Sequence, residues 1–422
     1  AGPLAGLHLG LPGGRFQTLM LVMCGGYLLV LLGARALPLR LIAAAVLLAH
    51  VLLALGPPLL SQDVFGYLGF ARMGVLHGLD PYTHFPSEAP ADAVFPFLGW
   101  PFQHSPYGPP FTLASYALAP LGLAGAMWTL KALAAACSLA GIAAIVAAAG
   151  GEGRSRRWTA AFVGLNPVLL ALAVGGAHND TLLLLLAGIA LLLAGAPLRR
   201  PRAAALALAA GVGVKAGSGL LMPFLVLGQR RRGERIGTTV ACCAGLAAVA
   251  AVGIIGFGTH AFGFLDAIGE QQQLVATHSI PAETARLVGL SGTPAWWRHL
   301  FLALFACVVA FALWRTARGA DWRTAAGWAT LALLLSTAWL LPWYAVWLLP
   351  LAAVGRDRRL RAAALLFCGY AVLIHLSLAN GLLDPRPVHV PHHLPFPVPG
   401  VTHRLEFTGF EILRHVQLDL RW

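Results

Sequence analysis

Charge is what this sequence has least of. Asp, Glu, Lys and Arg together make up 11% of its 422 residues, where a soluble globular domain carries about 25%. With 58% hydrophobic residues and a mean hydropathy of +0.75, that scarcity excludes a soluble globular protein and leaves a polytopic membrane protein. Lysine is scarcer still: of 29 basic residues only Lys131 and Lys215 are lysines, and the rest are arginines. The cysteines Cys24, Cys137, Cys242, Cys243, Cys307 and Cys368 sit in apolar stretches without metal-ligand spacing, so neither a zinc module nor a disulfide framework is expected. Walker loops, dinucleotide fingerprints and the G-x-S-x-G elbow are missing, and the embedded halves show no convincing inverted repeat, which weakens a secondary transporter. The net charge of +13 could suggest nucleic acid. Its arginines, however, fall in short clusters between apolar runs, as in cytoplasmic loops, and no basic domain with interleaved aromatics exists. Because the chain starts at Ala1 rather than an initiator Met, a preceding segment is expected, and no intact signal peptide is legible.

What is present is a succession of apolar runs. They lie near 16 to 33, 39 to 56, 125 to 149, 158 to 176, 180 to 196, 203 to 228, 236 to 258, 297 to 316, 323 to 340, 343 to 355 and 361 to 379. The intervening clusters Arg35/Arg40, Arg154/Arg156/Arg157, Arg199/Arg200/Arg202, Arg230 to Arg235, Arg315/Arg318/Arg323 and Arg356 to Arg361 read as cytoplasmic, which makes the other loops external. Two local consequences follow. The run from Tyr107 to Leu121, broken by Pro109, Pro110 and Pro120, fits an interfacial or re-entrant helix rather than a full span. The run 203 to 228 has arginines at both ends, so it should enter and return as two short helices meeting near Lys215 to Ser218. The acids agree: of sixteen, only Glu152, Glu234, Asp321 and Asp357 lie in loops assigned to the cytoplasm. The expected division is a transmembrane domain over 1 to 379, with external loops 57 to 124 and 259 to 296, and a Pro/His-rich external tail over 380 to 422.

The residues suited to chemistry fall on the external side. Asp63, in Ser61 to Tyr82, sits where a span meets water and is either a reactive acid or an ordinary solvated loop acid. Tyr67, Asp80 and Tyr82 accompany it. Lys131 and Lys215 lie inside apolar stretches, where an ammonium either partners a phosphate or snorkels to the interface. The run Gly175 to Asp180, GGAHND, offers His178, Asn179 and Asp180 as proton carrier, amide and carboxylate; Asp180 also suits capping of the next span. His104 to Pro110 contains Tyr107 at the start of the interfacial helix, as an anchor or a substrate contact. Pro342-Trp343-Tyr344, with Trp339 and Trp347, is an aromatic belt or a carbohydrate platform. In the tail, His389, His392, His393, His403 and His415 lack tetrahedral metal spacing and read as a proline-stiffened segment packed on the membrane part. His278 and Glu270 are weaker candidates.

Several of these residues together resemble the membrane-embedded glycosyltransferases of the GT-C class, most closely polyprenyl-phosphomannose-dependent alpha-1,6-mannosyltransferases. The resemblance is carried by Ser61-Gln62-Asp63-Val64 with Tyr67, Gly78 to Tyr82, Ser105 to Pro109, Asn166-Pro167 and Gly175 to Asp180, with Lys215 and Pro342-Trp343-Tyr344. It covers roughly residues 60 to 350. It implies an all-α polytopic GT-C fold with about twelve transmembrane helices and juxtamembrane helices in the first large external loop. By it, Asp63 is the general base of an inverting transfer, Lys131, Lys215 and His178 hold the donor phosphate, and the sugar or acceptor meets Tyr67, Asp80, Tyr82, Tyr107, Asn179, Asp180, Trp343 and Tyr344. Asp80 stands where Asn is expected before Pro-Tyr, and Lys131 where Arg is expected. The implied partners are a polyprenyl-phosphate-linked mannose donor, a glycan or glycolipid acceptor and membrane lipid, with no nucleic acid. The implied place is a bacterial plasma membrane with the active site facing outward. No metal or other cofactor is required, although a divalent cation is compatible. Transfer of another polyprenyl-phosphate sugar, such as arabinofuranose or glucose, lipid or sugar transport, and a non-catalytic assembly scaffold are the alternatives, and oligomeric state is left open.

Overall fold

In the computed structural model, which describes residues 13–196 and 198–376, every regular element is helical. The expectation for the Pro/His-rich tail falls outside the described residues. Helix α1 (Gly13–Gly33) packs on α6 (Arg156–Gly164), and α2 (Leu39–Leu55) on α6 and α5 (Gly122–Gly151). Between α2 and α5 the chain makes α3 (Asp63–His77) and the short α4 (Pro109–Ser115), which runs on through a 3-10 turn to Leu121. Gly78, at φ 64°, ends α3 in the left-handed conformation that a Cβ disfavours.

The loop after α3 is held by charge. Arg72 Nε lies 2.7 Å and His77 Nε2 2.8 Å from the two carboxylate oxygens of Asp92. Burial opposes ionisation of Asp92, yet Arg72, His77 and the Val94 N–H outweigh it and hold the carboxyl at about 2.

The central pair is α5 with α7 (Asp180–Ala194), which approach closely where Gly141 faces the backbone of Leu185 and Gly188 faces the carbonyl of Gly141. Between α6 and α7, Asn166-Pro167 breaks the span, and the chain continues as a π-helix, Val168–Val174, bent 45° from α6. Proline offers no N–H there, and Asn166 Oδ1 accepts the Val168 N–H at 3.0 Å instead.

The run 203 to 228 is broken as expected. Helix α8 (Pro201–Val212) ends before Lys215, a 3-10 turn covers Ala216–Leu220, and α9 (Leu221–Leu227) follows. The carbonyls freed at the break are satisfied by α4, whose Gly108 and Phe111 N–H groups donate to Val214 and Gly213 at 3.0 and 3.1 Å. Then come α10 (Arg232–Phe257), α11 (Gly263–Gln273), α12 (Ile280–Leu287), α13 (Ala295–Ala317), α14 (Trp322–Ser336), a 3-10 turn over Pro342–Trp347, α15 (Leu349–Val354) and α16 (Arg358–His375).

Loops assigned to the cytoplasm meet at one end. Glu152 pairs with Arg323 at 2.8 Å and Arg356 at 3.8 Å and accepts the Ala196 N–H at 3.1 Å. Helix α7 runs from Asp180 to this end, so Asp180 and its neighbours occupy the opposite one.

Among the described residues four helical stretches are long and apolar enough to cross a membrane: Phe16–Gly33, Pro109–Gly151, Arg232–Gln273 and Ala295–Ala317. The bent pair of α6 and the π-helix makes a fifth. The other apolar helices among the described residues are shorter, including α2, α7, α8 and the stretches Ala216–Leu227 and Pro342–Val354. This departs from a simple reading of one apolar run as one span: Pro, Gly and Asn residues cut several runs into pieces that are supported by neighbours rather than by length.

Candidate active site

Two loops deliver the site, and both carry backbone strain. Leu60 and Ala177 are non-glycine residues at φ 62° and 56°, a conformation costing about 1–3 kcal/mol each and sustained only where the surroundings impose it. Leu60 precedes Ser61-Gln62-Asp63, and Ala177 lies inside GGAHND. The Leu59 N–H donates to the Gly175 carbonyl at 2.9 Å, tying one loop to the other. Gly176 is required by proximity, since a Cβ there would stand 2.6 Å from the His178 ring.

This pairing brings His178 against Asp63, with Nδ1 3.2 Å from Oδ2. The contact is off the line of a hydrogen bond: neither ring nitrogen of His178 has an aligned partner among the described residues. The imidazole is fully buried, and its other contact is Trp343, stacked on it at 3.8 Å between centroids and 24°. Burial pushes the Asp63 carboxyl up. The His178 imidazole, then the Lys215 ammonium and Ser61, more than offset that and hold it below the usual carboxylate range.

Lys215, at the break between α8 and α9, sits over Tyr344 at 5.0 Å, Tyr107 at 5.9 Å and Trp347 at 6.0 Å. Its Nζ donates to Asp180 Oδ2 at 2.7 Å, and Trp347 Nε1 donates to Oδ1 of the same carboxylate at 2.6 Å. Tyr67 stands behind Asp63: its hydroxyl accepts the Asn179 N–H at 3.3 Å, and its ring meets Tyr107 edge to face at 4.9 Å.

A cavity of about 170 Å³ opens beside these groups, and its lining includes Asp63, Tyr107, Lys215, Tyr344 and Trp347 as well as Trp100, Gln103, Gln271 and Trp339. Among the described residues no group of three or more His, Cys, Asp or Glu side chains is arranged to hold a metal ion.

Of the residues singled out from sequence, Asp63, Lys215, Tyr107, Trp339, Tyr344 and Trp347 face this cavity. His178, Asn179, Asp180, Tyr67 and Trp343 form the layer behind it, each at most 7% exposed. That placement corrects several roles. Asp180 is wholly buried with both oxygens engaged, so it orients Lys215 and Trp347 rather than touching sugar. His178 acts on Asp63 rather than on a phosphate. Trp343 is a packing partner of His178. The Asn179 side-chain amide is buried without a hydrogen-bond partner among the described residues, and its backbone reaches Tyr67.

Three expectations fall away from the cavity altogether. Lys131 is fully buried and donates to the carbonyls of Leu53 at 2.6 Å, Gly175 at 2.9 Å and Pro57 at 3.3 Å, leaving no N–H for a phosphate. Asp80 accepts the Tyr82 N–H at 2.9 Å and lies 3.0 Å from His260 Nδ1, as a turn carboxylate. Tyr82 is buried against Phe257, and its hydroxyl donates to the Tyr107 carbonyl at 2.8 Å and lies 2.9 Å from the Thr112 hydroxyl. Glu270 pairs with His104 at 2.8 Å, and His278 with Glu283 at 2.6 Å, which makes both tethers of the external loop.

Sequence reasoning passed over Trp100, Gln103 and Gln271. The only signal for the last was the polar run Glu270 to Gln273 in an otherwise apolar region, and nothing marked the other two.

The family model described as alpha-(1->6)-mannopyranosyltransferase, N-terminal domain, matches residues 11–230, more than half of the chain and both strained loops. The chain belongs to this family. A second model, the MptB C-terminal domain, matches residues 288–392 of this mannopyranosyltransferase-family chain, which include Trp343, Tyr344 and Trp347. The chain is 30% identical over 358 residues to alpha-(1->6)-mannopyranosyltransferase A of Mycobacterium tuberculosis. That likeness covers 74% of this family member and 64% of the relative, so the chain spans under two thirds of the relative's length. No solved structure matches it.

Proposed function

We propose that this chain transfers mannose from a polyprenyl-phosphate-mannose donor to a glycan or glycolipid acceptor at the external face of a bacterial plasma membrane, within a GT-C fold. The observation that carries the reading is a carboxylate, Asp63, kept ionised at a cavity wall that also presents the Lys215 ammonium. An acceptor hydroxyl placed against Asp63 gives up its proton to the carboxylate as its oxygen bonds the anomeric carbon. The bond from that carbon to the phosphate oxygen breaks, its electron pair leaves with the lipid phosphate, and attack from the opposite face inverts a β-linked mannosyl phosphate to an α-mannoside. Lys215, with Asp180 behind it, balances the charge that grows on the departing phosphate. A lipid-borne donor suits an outward site, because nucleotide sugars are confined to the cytoplasm.

The purified full chain, given a synthetic mannosyl-phosphate lipid and an oligomannoside, is expected to form a longer mannoside. Asp63→Asn is expected to lower the rate by about 10²–10⁴-fold with an unchanged thermal midpoint. Product that is absent in the wild type, or equal in the folded variant, overturns the reading.

A further inference from the structure

Two sets of contacts divide the cavity lining. One is charged: Lys215, held by Asp180 and surrounded by Tyr107, Tyr344 and Trp347, with Asp63 on the same wall. The other has no charged side chain facing the cavity. Trp100 and Trp339 meet edge to face at 5.2 Å and 81°. Trp339 follows Ala338, whose carbonyl accepts the Ala276 N–H at 2.8 Å just beyond α11. Gln103 precedes His104, which pairs at 2.8 Å with Glu270, the neighbour of Gln271. Three separate segments are therefore pinned to one another, and their two indoles and two primary amides all line the cavity.

We propose that Trp100, Gln103, Gln271 and Trp339 form a subsite for a neutral oligosaccharide, the glycan acceptor; the acceptor role rests on the transferase reading above. All four are partly buried and keep surface toward the cavity. Neither glutamine amide has a hydrogen-bond partner among the described residues. Each amide offers two N–H donors and a carbonyl acceptor, a set that matches neighbouring sugar hydroxyls, while indole surfaces suit the C–H faces of a pyranose. Among the described residues the one cation in the cavity lining, Lys215, is tied to Asp180 and ringed by Tyr107, Tyr344 and Trp347, none of the four residues is itself charged, and a polyprenyl tail would leave both amides unpaired in an apolar contact.

Helix α11 adds a reason for selectivity. It supplies Ile268 and Gln271, and it is the one lining element outside both family matches, lying between residues 230 and 288. A preference among acceptors would be set at the wall to which this helix contributes.

The test uses the full chain in lipid nanodiscs with an α-(1→6)-linked mannotetraose and no donor, read by saturation-transfer NMR. Wild type is expected to saturate the oligosaccharide, and the Gln103→Ala/Gln271→Ala double variant to weaken binding by about tenfold, from roughly 0.5–1.5 kcal/mol per lost hydrogen bond. Trp339→Phe, which keeps an aromatic ring, is expected to weaken it less than Trp339→Ala. In transfer assays the double variant should raise KM for the acceptor while KM for the mannosyl-phosphate lipid stays within about twofold. Absent binding in the wild type, equal binding in the folded double variant, or a rise in donor KM alone overturns the subsite. If the oligosaccharide binds and the double variant weakens it, yet no mannosyl-phosphate lipid is used, the subsite stands and the transferase reading falls.

Discussion

At the scale of single residues, His178 governs the ionisation of Asp63. A base works only as the carboxylate, and the carboxyl is held below its ordinary range, so the rate is expected to hold as the medium turns acidic and to fall only below that range. His178→Ala removes the neighbour that does most to offset burial. The Asp63 carboxyl must then rise, and the acid limb of kcat/KM must move to higher pH. A pH profile whose acid limb is unmoved in a folded His178→Ala protein would show that Asp63 is set by something else. Asp63, His178 and Asp180 were visible in the sequence because acids and a histidine are rare in apolar text, and short local runs stay together when folded. Their division of labour was not visible. Asp180 and Asp63 look alike as symbols, and only burial separates the wall from the layer behind it: Asp180 is wholly enclosed between Lys215 and Trp347.

At the scale of elements, Lys131 fastens α5 to the end of α2 and to the GGAHND loop. Its three carbonyl acceptors are 74 to 78 and 44 residues away in sequence. No pattern in the chain announces a lysine whose partners are backbone oxygens, which is why it reads there as a phosphate ligand. Lys131→Met keeps the length and the apolar stem but leaves the Leu53 and Pro57 carbonyls without this donor, each at about 1–3 kcal/mol, while the Gly175 carbonyl keeps the Leu59 N–H. The expected outcome is a loss of several degrees in the thermal midpoint together with reduced transfer, since the same carbonyls hold both strained loops. A variant with wild-type stability would remove the fastening role. The broken helix at Lys215, by contrast, was legible from arginines at both ends of one apolar run, a charge argument that needs no contact information.

At the scale of the whole molecule, the arginine clusters implied a two-sided protein, and the meeting of Glu152, Arg323 and Arg356 at one end is consistent with that sidedness. How many runs cross the bilayer was less legible, because proline, glycine and asparagine interrupt apolar stretches whose hydropathy alone looks continuous. Orientation can be checked directly. In a cysteine-free background, Glu88→Cys in the loop after α3 is expected to react with a membrane-impermeant maleimide in intact cells, and Gly233→Cys at the start of α10 only after permeabilisation. Both positions are exposed. The reverse labelling pattern would turn the molecule over and with it the proposed outward site.

The stacking of Trp343 on His178 makes the site its own optical reporter. Imidazole in van der Waals contact quenches indole emission. Any event that lifts His178 from the indole therefore changes the light from a single tryptophan. The difference in emission between wild type and Trp343→Phe would isolate that signal while leaving Trp100, Trp339 and Trp347 in place, without a labelled sugar or a modified lipid.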